Sequence, residues 1–172
     1  MFENVNFGIG ARTAQYEIRI YDKENILVAA PIAGRTFIEP NKRSAIFAPG
    51  IRVGLRKPHN AFIRFQDVEE WEYVDPDFSE QLFNINTNQI EDITSQPKIS
   101  ATVTNVSNQD FTDITLVILI YDAAENAIAS SQTLIDSLNA GEEREIYYSW
   151  PEPFSGDMQS LEIIPRVNPF TN

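Results

Sequence analysis

A seven-residue string recurs at a spacing of one hundred positions. Tyr16-Glu17-Ile18-Arg19-Ile20-Tyr21-Asp22 stands against Leu116-Val117-Ile118-Leu119-Ile120-Tyr121-Asp122. The flanks follow. Lys23-Glu24-Asn25-Ile26-Leu27-Val28-Ala29 matches Ala124-Glu125-Asn126-Ala127-Ile128-Ala129 with a small slip, and Ile38-Glu39-Pro40-Asn41 falls opposite Leu138-Asn139-Ala140-Gly141. Ile46-Phe47 falls opposite Ile146-Tyr147, Ile63-Arg64-Phe65 opposite Leu161-Glu162-Ile163, and Asn6-Phe7 opposite Asp110-Phe111. Self-similarity over such a stretch means one supersecondary plan used twice. It divides the 172 residues into 1–74 and 75–172.

The plan is all-β. Tyr16 to Ile20, Ile51 to Arg56 and Ala101 to Thr104 alternate in character, and Ile146, Tyr148 and Trp150 share one phase. Period two with β-branched and aromatic residues marks strands with one buried face. Turn residues separate them at Asp22-Lys23-Glu24-Asn25, Glu39-Pro40-Asn41, Pro49-Gly50, Lys57-Pro58-His59-Asn60, Asn139-Ala140-Gly141 and Ser155-Gly156-Asp157. Short strands at this spacing read as immunoglobulin-like β-sandwich units in tandem. The second copy has two further strands ahead of its signature, Leu82 to Ile90 and Lys98 to Asn105; the first has about fifteen residues there. The first copy is thus expected to lack its opening strand or strands. Three sources would complete it: a longer parent chain, the acidic segment 69–95 folding back, or a strand from another molecule.

Charge is divided unevenly. Residues 1–68 hold ten Lys/Arg and six Asp/Glu, whereas the remainder holds three and 19, within a net charge of -12. Residues 69–95 carry eight acids and no Lys or Arg. Such asymmetry favours contact between the halves or basic-to-acidic association into a homo-oligomer. The absence of cysteine excludes disulfides and thiolate chemistry. No apolar run is long enough to span a bilayer, and Met1-Phe2-Glu3-Asn4 has no signal-peptide character.

The strand ending Ile118-Leu119-Ile120-Tyr121-Asp122 resembles the signature of the FxLYD domain, a small bacterial and archaeal β-sandwich. Thr102-Val103-Thr104-Asn105-Val106-Ser107 is similar to its strand ending in an Asn-x-Ser turn, and Leu138-Asn139-Ala140-Gly141-Glu142 to its Leu-x-Pro-Gly-Glu turn. Ile118 stands where the signature has Phe, and Ala140 where the turn has Pro; the first copy has Pro40-Asn41-Lys42 for Pro-Gly-Glu. The layout also resembles the late-embryogenesis-abundant type 2 fold. These resemblances imply an extracytoplasmic module of a membrane-anchored bacterial envelope protein, non-enzymatic and without a cofactor, that contacts a protein or an envelope component. Fold alone assigns no function.

Site chemistry is sparse. His59, the single histidine, lies in a loop string and lacks a nucleophile partner. The acid pairs Glu69-Glu70, Glu91-Asp92 and Glu142-Glu143 sit on turns and do not make the facing carboxylates of a glycosidase. A rival reading is a calcium- or carbohydrate-binding sandwich, with Asp75, Asp77, Asp110 and Asp113 as metal candidates. Partner-binding candidates are Arg52 and Arg56, alternate on one strand; Val117 and Leu119, which make both faces of the signature strand apolar; and Trp150 and Phe154 in a proline-flanked bend. Glu17 and Arg19 are the first-copy counterparts of Val117 and Leu119. The repeated Asp is expected to accept turn N–H groups, and the repeated Tyr to cap the core. Asn105-Val106-Ser107 has the form of a glycosylation sequon but reads as a turn, and Lys98 is a remote candidate for an isopeptide link. Nucleic acid is disfavoured by the net charge and by the lack of a stacking platform.

Overall fold

The computed structural model describes residues 1–74, 78 and 81–170. Asp75 and Asp77 lie outside the described residues. Among the described residues eleven strands run in order: β1 (Phe2–Asn4), β2 (Ile9–Tyr21), β3 (Ile32–Ile38), β4 (Lys42–Ser44), β5 (Asn60–Tyr73), β6 (Phe83–Glu91), β7 (Lys98–Asn105), β8 (Phe111–Tyr121), β9 (Ala127–Leu138), β10 (Glu143–Ser149) and β11 (Ser160–Arg166). All pairings are antiparallel, and the protein is all-β with its strands in β-sandwich-like units. The chain forms two compact units, Met1–Ser79 with Asn168–Asn172, and Glu80–Val167. No described helix is long and apolar enough to cross a membrane.

The second unit has two three-stranded sheets, β10-β7-β6 and β11-β8-β9. Ile99, Ala101 and Val103 alternate along β7 and are buried, as are Leu116, Ile118 and Ile120 along β8. Alternation sends these rows to the inner faces, where Ile114, Leu138 and Ile146 join them. Tyr148 is buried with its hydroxyl donating to the Leu116 carbonyl at 3.3 Å, and burial holds that phenol well above its ordinary range.

In the first unit the sheet β3-β2-β5 repeats β9-β8-β11, and the two-stranded β1-β4 repeats part of β7-β10. Register fixes the equivalence. Phe2 faces Ser44 as Val103 faces Arg144, and Ile18 faces Ile63 as Ile118 faces Ile163. β1 therefore matches only the last three residues of β7, and no described strand repeats β6. The core reflects this. Ala11, Ala14 and Ile38 are buried beside Phe2, Phe65 and Val68, at the end that β1 covers. Tyr16, Ile18 and Ile20 are only half-buried, whereas Leu116, Ile118 and Ile120 are fully enclosed.

Two polar devices occur in both units. Asn105 ends β7 fully buried; its amide donates to the Gln109 carbonyl at 2.7 Å and the Leu138 carbonyl at 3.1 Å. Its Oδ1 accepts the Ser107 N–H at 3.1 Å and hydroxyl at 2.7 Å. Asn4 ends β1 in the same way, donating to Ile9 at 2.8 Å and Glu39 at 3.0 Å and accepting the Asn6 N–H at 3.1 Å. The second device is the turn after the signature Tyr-Asp. Asp22 Oδ1 accepts N–H groups of Glu24 and Ile26 at 3.0 and 2.8 Å; Asp122 Oδ1 accepts those of Ala124 and Asn126 at 2.9 and 2.8 Å. Asn25 and Glu125 take left-handed backbone at φ 60° and 61°.

These geometries correct four alignments, one side-chain role and one strand. Asn25 matches Glu125 with no slip, because the left-handed position, not residue identity, sets the turn. Asn4, not Asn6, opens the match ahead of β2, and Ala11 rather than Phe7 occupies the place of Phe111; Phe7 is exposed in a turn. Ile63 matches Ile163, two places beyond the sequence alignment. Tyr21 does not cap the core: it lies on the Glu17–Arg19 side, since Ile18 and Ile20 point inward. Ile51 to Arg56 is loop, not strand. Gly50 and Gly54 take φ of 68° and 62°, and Leu55 is fully exposed.

Candidate functional site

The outer face of β2 and β5 distinguishes the units. Register places Glu17 opposite Arg64, Arg19 opposite Phe62 and Tyr21 opposite Asn60. Alternate residues share a face, so Glu17, Arg19, Tyr21, Phe62 and Arg64 form one surface. With Asn25 they line a hollow of about 390 Å³. Phe62 is 59% exposed and meets Tyr21 edge-on, with ring centres 5.9 Å apart. Arg19 Nε bonds Glu17 Oε1 at 2.6 Å, and this carboxylate holds the guanidinium above its ordinary pKa. No ion pair joins Arg64 to a described residue.

At the end of β2 a second hollow, about 520 Å³, is lined by Asp22, Lys23, Glu24, Arg56, Lys57 and His59. The loop of residues 45–59 brings Arg56 onto Asp22, where its Nη1 bonds Oδ2. The Asp22 carboxyl sits below the ordinary range, first because of the Ile26 N–H and then Arg56. The His59 backbone N–H donates to the Tyr21 carbonyl at 2.8 Å, which pins the loop's end to β2. Lys23, Arg56 and Lys57 stand against two carboxylates, Asp22 paired with Arg56 and Glu24 with Lys23 at 3.6 Å, which leaves a net excess of one positive charge in the hollow.

In the second unit the equivalent face is mainly apolar, with one polar pair, the Tyr121 hydroxyl donating to Glu162 at 3.3 Å. Leu119 faces Glu162 and Val117 faces Ile164. Val117 and Ile164 are buried at 2% and 6% exposure, and Leu119 is half-buried. Val117 is therefore not available as an open docking residue. The Trp150–Phe154 bend fastens onto β9 instead of standing free. Trp150 Nε1 donates to the Ser130 carbonyl at 3.1 Å, Phe154 stacks edge-on against Trp150 at 5.1 Å, and the Ser155 hydroxyl donates to the Ile128 carbonyl at 3.3 Å. Since β9 and β10 are edge strands of the two sheets, this bend closes the seam between them.

The remaining candidates are dispersed. Arg52 is exposed on the 45–59 loop, apart from the strand geometry expected for it. Asp110 accepts the Ala140 N–H at 2.8 Å, a role within the turn, and Asp113 is exposed with left-handed backbone at φ 53°. No group of three potential metal ligands occurs among the described residues. Part of the charge asymmetry is met inside the first unit: Arg12 forms a two-pronged pair with Glu72, both contacts at 3.0 Å, and stacks on Phe170. Sequence reasoning missed Phe62 and Tyr21 as a surface pair. The available signal was parity, since counting outward from Ile18 puts Tyr21 on the Glu17–Arg19 side.

No protein-family model matches the chain, and no curated protein matches it. One solved structure similar to it is Bacteroides uniformis beta-glucuronidase 2, covalently bound to cyclophellitol-6-carboxylate aziridine, at 14% identity and a TM-score of 0.27. That alignment covers 94% of this chain and 20% of the enzyme chain.

Proposed function

We propose that this chain is a non-enzymatic spacer and binding module of a membrane-anchored bacterial envelope protein, and that it contacts an anionic polymer of the envelope through the first unit. One observation carries the reading. A sheet face that in the second unit carries the buried Val117 and Ile164 with half-buried Leu119, Tyr121 and Glu162 carries, in the first, an exposed Phe62 flanked by Arg19 and Arg64. Exposed aromatic rings stack against the C–H faces of sugar rings. Arginine forks suit carboxylate and phosphate groups. Extracytoplasmic placement and anchoring are inferred from the resemblance to FxLYD-type sandwiches.

The test is calorimetric titration of the 172-residue chain with alginate, polyglycerol phosphate and neutral dextran. The reading expects binding to alginate or polyglycerol phosphate and none to dextran. Arg19→Ser with Arg64→Ser should abolish it, and Phe62→Ser should weaken it, with melting temperature essentially unchanged. Failure to bind either anionic polymer, or equal binding by the variants, would contradict the reading. Retention of a protein partner in place of the polymers would move it to protein–protein contact.

A further inference from the structure

The hollow at the end of β2 has a counterpart in the second unit with the same backbone and different side chains. The His59 N–H donates to the Tyr21 carbonyl at 2.8 Å, and the Gln159 N–H donates to the Tyr121 carbonyl at 2.8 Å. Asn60 then faces Tyr21 as Ser160 faces Tyr121. Counting back from that shared anchor sets Gly156 and Asp157 in the places of Arg56 and Lys57, and Ala123 follows Asp122 as Lys23 follows Asp22. The nitrogen-bearing set of the first unit, Lys23, Arg56, Lys57 and His59, is thus Ala123, Gly156, Asp157 and Gln159 in the second. The turn itself does not require that set. Asp122 Oδ2 accepts from the Asn126 side chain at 3.0 Å, where Asp22 Oδ2 accepts from Arg56. Among the described residues the Lys57 and His59 side chains make no ion pair or hydrogen bond, and Lys23 pairs with Glu24 alone, at 3.6 Å. Both members of that pair are exposed, so it holds Lys23 weakly.

We infer that this hollow is a phosphoryl-binding subsite, so that the polymer met by the first unit carries phosphate groups; the polymer itself rests on the reading given above. Asp22 is buried and taken up by two backbone N–H groups and Arg56, which leaves Lys57, His59 and the free N–H groups of the exposed Arg56 as the unspent chemistry of the hollow. Lys23 stands on the turn and the other three on the loop of residues 45–59, so the donors come from two elements and not from one planar fork. A single fork suits a planar carboxylate, whereas a tetrahedral phosphoryl group accepts from both sides, and a lysine ammonium meets it as a point charge. The hollow continues into the aromatic face. Tyr21 and Asn25 line one, and Asp22, Lys23 and Glu24, between them in sequence, line the other. From Arg64 back to His59 is about 17 Å along extended chain. One sugar ring does not span that length; a polymer does, with one group at each end of the track.

The experiment titrates the ¹⁵N-labelled 172-residue chain, at constant ionic strength, with glycerol 3-phosphate, acetate, polyglycerol phosphate and alginate. The variant Lys57→Asp with His59→Gln installs the residues of the second unit and leaves the Arg56–Asp22 pair and the residue-59 backbone anchor in place; Lys57→Ser is the milder form. The inference expects saturable amide shifts at Lys23, Lys57 and His59 with glycerol 3-phosphate and none with acetate. The double variant should bind glycerol 3-phosphate at least about tenfold more weakly at unchanged melting temperature, and Lys57→Ser should show part of that loss. Polyglycerol phosphate should bind more tightly than glycerol 3-phosphate, since its second contact is intramolecular, and more tightly than alginate. Absence of saturable shifts, equal shifts with acetate, or equal binding by both variants overturns the subsite, and tighter binding of alginate overturns the choice of phosphate. If glycerol 3-phosphate binds the hollow while neither polymer shifts Arg19 or Arg64, the subsite stands for a free phosphoester and the polymer reading alone falls.

Discussion

Replacing Asn105 by alanine deletes four hydrogen bonds at a point where the side chain is fully enclosed. The Ser107 hydroxyl still reaches the Gln109 carbonyl at 3.3 Å, so that carbonyl keeps a partner. The Leu138 carbonyl and the Ser107 N–H lose theirs. A buried polar group left unmatched costs about 1–3 kcal/mol, which puts the loss at about 3 kcal/mol for the two groups. Asn105→Asp should be at least as damaging, because a carboxylate cannot donate to either carbonyl and is buried as a charge. Asn4→Ala should destabilise the first unit by about 2 kcal/mol, since Asn4 makes three bonds and retains slight exposure. Each unit carries one tryptophan, Trp71 in β5 and Trp150 after β10. Urea unfolding followed by fluorescence can thus be read unit by unit, in Trp71→Phe and Trp150→Phe backgrounds. Asn105→Ala should lower the Trp150 midpoint with little change in slope. A loss under about 1 kcal/mol for both alanine variants would refute the reasoning, because the buried Leu138 carbonyl and the half-buried Ser107 N–H both give up their bonds to Asn105.

Two further outcomes follow from the geometry. Asp22, Asp122, Glu72 and Glu142 are all held below their ordinary pKa by hydrogen bonds, led by Ile26 N–H, the Asn126 side chain, Arg12 and Asn139 N–H respectively. A depressed folded-state pKa contributes stability that is present above the unfolded value, about pH 4, and lost as pH falls through the folded value. Melting temperature should therefore be flat with respect to these groups from pH 5 to 8 and fall below about pH 4, with a shallower fall in Asp122→Asn; an unchanged acid slope in that variant would contradict the assignment. Gly10→Ala should destabilise the first unit by about 2 kcal/mol or more by the Trp71 midpoint, because the new methyl would sit 2.5 Å from the Ile38 carbonyl oxygen and 2.9 Å from Phe170 Cζ.

Much of the second unit was legible because its strands are long and its signals local. Lys98–Asn105 was readable to the residue, since β-branched alternation runs unbroken into the Asn-x-Ser turn. The role of Asp22 and Asp122 was legible for the same reason, as every group involved lies within four residues. The asparagine corner was not, because its second carbonyl comes from 33 or 35 residues away. Only the shared Asn-Val at 4–5 and 105–106 hinted at it. Ile51–Arg56 shows the opposite failure. Its alternation imitates a strand, but period two makes a strand only where a neighbour supplies backbone partners, and two left-handed glycines turn that stretch into a loop. The candidate surface was half legible: Glu17 and Arg19 stood out by contrast with Val117 and Leu119, whereas Phe62 and Arg64 join them only through the β2–β5 register.

The central claim is that one sandwich plan is built twice, with β10 fully paired in the second unit and, among the described residues, no hydrogen bond at the equivalent Ile46–Ala48 in the first. Amide hydrogen exchange of the 172-residue chain, resolved by residue, tests it most directly. Ile146–Tyr148 should be protected and Ile46–Ala48 should exchange at nearly unprotected rates, while the turn amides of Ile26 and Asn126 should be slowed in both units alike. Equal protection at 46–48 and 146–148, or unequal protection at Ile26 and Asn126, would contradict the account.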